Sequence, residues 1–428
     1  MQIGHRISGE MLWVAVGVFI SMSVALAGTR FLTTVLSRAE YGKLVLMVSL
    51  AGLFDQVVGH AIGGAAMRFY SIYHFENRLG ELRGIVFRYL LGSTLVCIFG
   101  AILLSYLRRT TTDLLLILTL AFSIALFVSG VGVRLAEGAR RRRLSATLRT
   151  AFEIVRFSFA AFFVYFGSTS AEFAMGGFMV GATIIACIHW YYIRFRLLNN
   201  DRQAEGWSER KQLAKSFRRY AEPLLIVGFG TWVFLMSPLW ALGWYCEIDE
   251  VGGYGVYHQL AFVPMLVISG LLLTYWAPIL YEKTMESADE AMKDSLRITI
   301  VTLVAVLLTA IIAYFEHRQI AILLLGEHFR SNSWIFPWMI MAGGFYGVAQ
   351  QLLLKLRAEM KTLKLAVIQL VFALMAVVFY SLAAKFFAVD GVVYAVTALN
   401  ALLLIFAYVF AGTRQKKQEL IDIHISKN

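Results

Sequence analysis

The chain is 428 residues long, 59% of them hydrophobic, and carries a formal charge of +12. No stretch is long and polar enough to form a separate soluble domain. Apolar runs of about 20 residues, the length that crosses a bilayer core of about 30 Å, recur from end to end, so the sequence predicts an all-α polytopic membrane protein.

Twelve spans are predicted. The first six cover residues 9–35, 44–67, 86–107, 113–133, 150–167 and 172–193. Span 1 carries Arg30 in its outer third. Span 2 holds Asp55 midway, in Leu53-Phe54-Asp55-Gln56-Val57-Val58-Gly59-His60, and closes on Arg68-Phe69-Tyr70. At i, i+4 spacing Asp55 shares a face with Gly59, and Gln56 shares the neighbouring one with His60. A carboxylate with an imidazole close by can bind and release a proton or cation, or can simply fasten two helices. Span 4 ends with Arg134 and Glu137, and span 5 carries Glu153 and Arg156. Acid–base pairs three apart on a helix neutralise each other, which is the structural reading of both. The functional reading makes Arg156, one turn inside the bilayer, a phosphate ligand through its planar fork of donors, with Glu153 as an ion-coupling group.

The second six cover 221–245, 256–280, 298–315, 334–354, 365–384 and 389–411. Trp232, Trp240 and Trp244 lie on span 7. Trp232 is deep enough to stack on a sugar, whereas Trp244, Trp276 and Trp334 fit the aromatic belt at the membrane surface. Gln350, Gln351 and Lys355 stand near the inner end of span 10, as substrate contacts or as helix-end groups. All five prolines fall in this half, two on span 7 and two on span 8, so those helices are expected to bend. The run Ile320 to Leu325 is too short to span and is expected to be interfacial or re-entrant.

The charge fixes orientation. The N-tail, the even-numbered loops and the C-tail hold 30 of the 39 Lys and Arg, against 8 in the odd-numbered gaps, with Arg156 inside span 5. Basic residues concentrate on the cytoplasmic side, which predicts both termini there and an even number of spans. Read this way, Arg140-Arg141-Arg142-Arg143 faces anionic lipid headgroups, and no nucleic-acid partner is expected. The three cysteines (Cys97, Cys187 and Cys246) form neither a disulfide framework nor a metal spacing. No phosphate-binding loop, zinc-protease helix or nucleophile elbow is present, so neither a cofactor, a metal nor an enzymatic activity is expected. A membrane-embedded glycosyltransferase would need acidic residues in a substantial outer loop, and the gaps around Glu40 and Glu172 are short.

The longest inner loop divides the chain into 1–193, a basic linker 194–220, and 221–428. Ser37-Arg38-Ala39-Glu40-Tyr41-Gly42 after span 1 is echoed by Glu250-Val251-Gly252-Gly253-Tyr254-Gly255 after span 7. Six spans return the chain to its starting side, so the expectation is two six-helix bundles related by a pseudo-two-fold along the membrane normal, with a cavity between them.

These motifs, with Gly28-Thr29-Arg30-Phe31-Leu32, Arg68-Phe69-Tyr70, Phe262-Val263-Pro264, Leu325-Gly326-Glu327-His328-Phe329, Phe336-Pro337-Trp338 and Asp390-Gly391-Val392, resemble bacterial oligosaccharide and polysaccharide flippases. Those form the O-antigen and exopolysaccharide branch of the MATE-like multidrug/oligosaccharidyl-lipid/polysaccharide exporter superfamily. The resemblance implies a bacterial inner-membrane protein with twelve helices around a cationic cavity. It also implies a cargo of undecaprenyl-pyrophosphate-linked oligosaccharide moved to the periplasmic leaflet, with membrane lipid and other polysaccharide-assembly proteins as partners. Where relatives carry an acidic–basic pair in span 7, this chain has Ser237-Pro238, which moves the weight of ion coupling onto Asp55. Two other readings compete: a cation-coupled antiporter of small molecules, with an acidic rather than arginine-lined cavity, and a non-transporting scaffold of a polysaccharide synthase.

Overall fold

The computed structural model describes residues 2–75, 78–108, 114–198, 207–273, 288–358 and 362–425. In a bilayer every backbone polar group must be satisfied within its own segment, and among the described residues the regular structure is helical. The helices are α1 (Gln2–Val35), α2 (Arg38–Phe75), α3 (Leu79–Arg108), α4 (Leu114–Gly138), α5 (Arg142–Phe166), α6 (Ala171–Tyr192), α7 (Trp207–Tyr245), α8 (Ile248–Leu273), α9 (Ala288–Leu324) and α10 (Ile335–Ala358). A last helical stretch, Thr362–Ile425, breaks at Ala388 (φ 49°, ψ −138°) into α11 (362–387) and α12 (389–425). Ala388 lies between Lys385 and Asp390, the polar gap expected between the last two spans.

Several of these helices are long and apolar enough to cross a membrane by composition alone, among them α4, α6 and the stretch holding α11 and α12. Helix α5 also has spanning length, 25 residues, but carries Arg142, Arg143, Arg149 and Arg156 along it. This is a multi-pass membrane protein.

Local chemistry explains the starts and stops. Ser37 caps α2, its hydroxyl accepting from the Glu40 amide at 3.2 Å, in the Ser-x-x-Glu order of a capping box. The Glu40 carboxylate also accepts from the Ala171 amide at 2.7 Å, joining the starts of α2 and α6. The expectation for Ile320 to Leu325 is corrected: α9 continues without a break to Leu324, and a short 3-10 turn, Glu327–Asn332, follows. At 1.5 Å per residue its 37 residues extend about 55 Å. Glu316, His317 and Arg318 are therefore polar groups on one continuous helix, not the margin of a separate piece.

The chain divides into two compact units, Met1–Met236 and Ser237–Asn428, with the division inside α7. In the first unit α5 and α6 pack backbone to backbone. A Cβ on Gly177 would lie 2.4 Å from Ala160 Cα, and one on Gly181 would lie 2.8 Å from Arg156 Cα. This is the small-xxx-small spacing that lets membrane helices approach closely where no hydrophobic effect drives them together. The Ser21 and Thr150 hydroxyls, 3.1 Å apart, tie α1 to α5. Buried His189 on α6 bonds the Ser129 carbonyl of α4 at 3.2 Å. Tyr73, Leu82, Phe127, Leu135 and Phe217 pack from α2, α3, α4 and α7 into one apolar cluster.

In the second unit α10 plays the close-packing part. A Cβ on Gly343 would lie 2.6 Å from the Phe262 carbonyl of α8, and one on Gly344 would lie 2.2 Å from the Val306 side chain of α9. Thr397 of α12 donates to the Trp338 carbonyl of α10 at 3.2 Å. Helix α8 contains a π turn over His258–Phe262, just before Pro264. Proline cannot donate into the helical ladder, so the irregular turn falls where the normal bonding is interrupted.

Candidate functional site

The centre of interest is Asp55 in α2. The turn Asp55–Gly59 is a π turn, closed by the His60 amide bonding back to the Asp55 carbonyl, a distortion frequent at functional sites. The carboxylate meets Arg134 of α4, with Nη1 3.4 Å from Oδ1. This corrects the expectation for Arg134, which pairs across helices with a residue 79 positions away rather than with Glu137. Glu137 accepts from Ser145 at 3.0 Å and Arg149 at 3.3 Å instead. A neighbour three residues off is only one of the surfaces a side chain can reach, and α2 lies against the face of α4 that Arg134 presents.

Glycines make that contact possible. A Cβ on Gly59 or on Gly130 would lie 2.4 Å from Asp55 Oδ1, and one on Gly63 would lie 2.4 Å from Arg134 Cδ. The pair therefore occupies space that three missing side chains leave open. Both partners keep a solvent-accessible edge, 21% for Arg134 and 19% for Asp55. A charge at membrane depth costs about 2.5–3.5 kcal/mol on the insertion scale, and pairing the two opposite charges offsets that cost.

Helix α7 runs antiparallel along the other side of α2 within the first unit. Tyr220 lies under the Arg68 guanidinium, 4.6 Å from ring centroid to Cζ. A Cβ on Gly228 would lie 2.3 Å from the Gln56 carbonyl, against the π turn itself. Trp232 donates its indole N–H to the Ser49 carbonyl at 2.9 Å, so its polar edge is committed to α2 while the half-buried ring remains.

The other expected site residues are distributed as follows. Arg30 is exposed on α1, where Thr33 and Thr34 donate to its carbonyl at 3.0 and 2.8 Å. Arg68 is exposed near the C-terminal end of α2, and His60 is half-buried one residue beyond the π turn. Arg156 is held by Glu153, and its guanidinium lies 4.7, 5.0 and 5.5 Å from the rings of Phe157, Phe178 and Phe152. Its charge is thus spent on a carboxylate and three ring faces. Gln350 and Gln351 are buried in α10, and the Lys355 side chain lies outside the described residues. Among the described residues no group of three or more His, Cys, Asp or Glu side chains is placed to hold a metal ion.

Sequence reasoning missed Arg134 as the partner of Asp55, and it missed the glycines that admit the pair. One signal was available: Asp55, Gly59 and Gly63 form an i, i+4, i+8 stripe on α2.

The family model described as "Polysaccharide biosynthesis protein" matches residues 9–283. No curated protein matches the sequence. Among solved structures, the chain is similar to an inward-facing multidrug-resistance MATE transporter of the MOP superfamily (TM-score 0.67, 10% identity, covering 94% of this chain and 99% of that one). It is also similar to the lipid II flippase MurJ in an inward closed conformation (0.66, 13% identity, 93% and 87%). A third likeness is to a MOP superfamily transporter from Pyrococcus furiosus described as having a binding pocket of reversed polarity (0.59, 14% identity, 95% of each chain). The fold is the one these transporters share.

Proposed function

Because the chain belongs to the polysaccharide biosynthesis protein family, we propose that it is a flippase. It carries an undecaprenyl-pyrophosphate-linked oligosaccharide from the cytoplasmic to the periplasmic leaflet of the bacterial inner membrane, for surface or exopolysaccharide assembly. The movement is alternating access of two six-helix halves, 1–193 and 221–428, joined by the linker 194–220, with both termini cytoplasmic as the basic loops require.

The observation that carries this reading is the shielded Asp55–Arg134 pair at membrane depth with one edge open. It supplies what a diphosphate carrier needs, a cation available to phosphate oxygens and an acid that can compensate it. Arg30 and Arg68 are the exposed guanidinium groups that meet the headgroup, and Arg156 joins them when it leaves Glu153. Trp232, Gln350 and Lys355 are the proposed sugar contacts. Asp55, with His60 and Glu153, is the proposed ion-coupling set. Secondary transport needs no nucleotide site, which agrees with a sequence that has no phosphate-binding loop. Other polysaccharide-assembly proteins are the proposed partners, through the basic linker 194–220 and the tail 414–428.

The experiment is a deletion strain complemented with Arg30→Ala, Arg68→Ala, Arg156→Ala or Asp55→Asn, measuring polymer and lipid-linked precursor. The flippase reading expects less polymer and precursor held in the inner leaflet with its synthesis intact. Loss of precursor synthesis would instead indicate an enzyme. The second reading, a cation-coupled antiporter, is favoured by the equal likeness to multidrug transporters. It expects drug efflux that Asp55→Asn abolishes while polymer is unaffected.

A further inference from the structure

We propose that Arg134 is an anion-binding residue which Asp55 keeps masked, and that a diphosphate binds by taking the place of that carboxylate. The proposal rests on the flippase reading for its cargo, but the masked site itself is argued from the geometry of α2 and α4.

Three observations carry it. The first is that the contact is a poor one for its kind. One Nη1 meets one Oδ1 at 3.4 Å, whereas charged N–H to carboxylate bonds settle near 2.7–2.9 Å and arginine prefers two at once. A guanidinium has five N–H donors in a fixed fork, so most of this fork remains available while its charge is compensated.

The second is that the pair is not sealed. About a fifth of each side chain is accessible. The Arg156 side chain, at 13%, is somewhat less so, and it is held by Glu153 with three phenyl rings beside it. An incoming ligand therefore meets more of the Arg134 fork and fewer competing contacts there.

The third is the cradle. The carboxylate occupies space bounded by the bare backbones of Gly59 and Gly130, and the Arg134 stem crosses Gly63. If Asp55 rotates away, its volume is returned to the guanidinium, with no side chain at Gly59 or Gly130 to fill it.

The chemistry of exchange follows. The arginine fork matches carboxylate and phosphate oxygens alike, which makes Asp55 an internal stand-in for phosphate. A diphosphate esterified at both ends carries one negative charge and two free oxygens on each phosphate, so it brings a second charge and further acceptors to the fork, against one charge and, in this pair, one contact. The diphosphate therefore has more to offer the guanidinium than the carboxylate does. Asp55 in turn prevents Arg134 from becoming an uncompensated cation in the empty protein, and by returning to it drives the diphosphate off. A carrier must bind firmly enough to load and weakly enough to release, and a competing internal anion sets that balance.

The test uses the full chain in nanodiscs of zwitterionic lipid, with inorganic pyrophosphate as probe, calorimetry as readout, and salt and pH fixed. Asp55→Asn removes the competitor while keeping the side chain's shape, and binding is expected to tighten by about tenfold. Asp55→Asn with Arg134→Lys keeps the positive charge without the fork, and the gain is expected to be lost. Arg134→Gln alone should bind more weakly than the unaltered protein. Thermal melts on every variant separate weak binding from poor folding, and the Lys variant reports even if the Gln variant does not fold. Unchanged or weaker binding in Asp55→Asn overturns the proposal, as does tight binding that survives Arg134→Lys.

A competition arm separates the sources of the diphosphate. Undecaprenyl diphosphate added in the nanodisc should displace inorganic pyrophosphate from Asp55→Asn. If it does not, the site serves a free diphosphate and the proposed entry of the lipid cargo is overturned. Failure of the flippase reading looks different: the masking pattern holds, and the unaltered protein moves no lipid-linked oligosaccharide in proteoliposomes.

Discussion

The two units solve the problem of polar groups at membrane depth in different ways. The first unit, besides buried neutral groups such as Ser123, Ser129 and His189, uses charge, with Asp55 against Arg134 across α2 and α4, and Glu153 with Arg156 on α5. The second unit, among its described residues, buries groups that carry no fixed charge: His258, Gln350, Gln351, Gln369, Thr397 and Asn400. Several of these have polar atoms with no protein hydrogen bond, including both amide atoms of Gln351, Oε1 of Gln369 and Oδ1 of Asn400. An unsatisfied buried polar atom costs about 1–3 kcal/mol, whereas removing one partner of a buried ion pair costs about 3–5 kcal/mol. The difference teaches where a change of charge state would have the greater leverage, namely in the first unit.

The largest expected effect breaks the contrast on its charged side. Arg134→Ala leaves Asp55 without its cation, and because the pair keeps an open edge the destabilisation should be about 1–3 kcal/mol, below the cost for a sealed pair. Transport should fall to background, read as polymer yield together with the melting temperature of the purified protein. Asp55→Ala should mirror it. If neither variant loses polymer, the charged pair is only a fastener between helices.

Next come the glycines, which test the geometry without touching a charge. Gly63→Ala and Gly130→Ala each place a methyl group about 2.4 Å from an atom of the pair, and overpacking of this kind costs about 1–3 kcal/mol. Transport should fall several-fold, less than for Arg134→Ala, with a loss of stability in the same range. A Gly130→Ala protein with unaltered transport would show that the cradle has slack.

A milder effect is expected from the neutral side. Gln351→Leu replaces an amide that has no hydrogen-bond partner among the described residues with a side chain of similar size, so stability should rise or stay within about 1 kcal/mol. Polymer yield should drop less than twofold. If Gln351→Leu abolished transport as completely as Arg134→Ala, the contrast between the units would collapse.

The smallest effect concerns Cys246, at the junction of α7 and α8. Burial, aided by the hydrogen bond the thiol donates to the Glu250 carboxylate and by that group's negative charge, pushes its pKa up to about 11. A raised thiol pKa means the neutral form dominates at pH 7.5, so maleimide labelling should be slow there and accelerate as pH approaches 11. Glu250→Gln should lower the pH at which it accelerates.

Much of the architecture was legible because the bilayer imposes it. Spans of about 20 residues and the polar gap between Lys385 and Asp390 are both local signals. Pairing at i, i+3 was legible for Glu153 and Arg156 for the same reason. It misled for Arg134 and Glu137, because the true partner is set by how α2 lies on α4, which no local spacing records. The long reach of α9 was hidden by Glu316, His317 and Arg318, which read as a span end but leave the helical ladder unbroken to Leu324. The aromatic enclosure of Arg156 likewise depends on Phe178 from α6, a residue whose sequence position says nothing of that arginine.

The most direct measurement is the rate at which a lipid-linked oligosaccharide crosses the bilayer in proteoliposomes, comparing the unaltered chain with Asp55→Asn at equal protein content. The expected result is protein-dependent flipping that Asp55→Asn reduces to the rate of empty vesicles. Flipping by Asp55→Asn at the unaltered rate would contradict the role given to the pair, and absence of flipping by either protein would contradict the cargo.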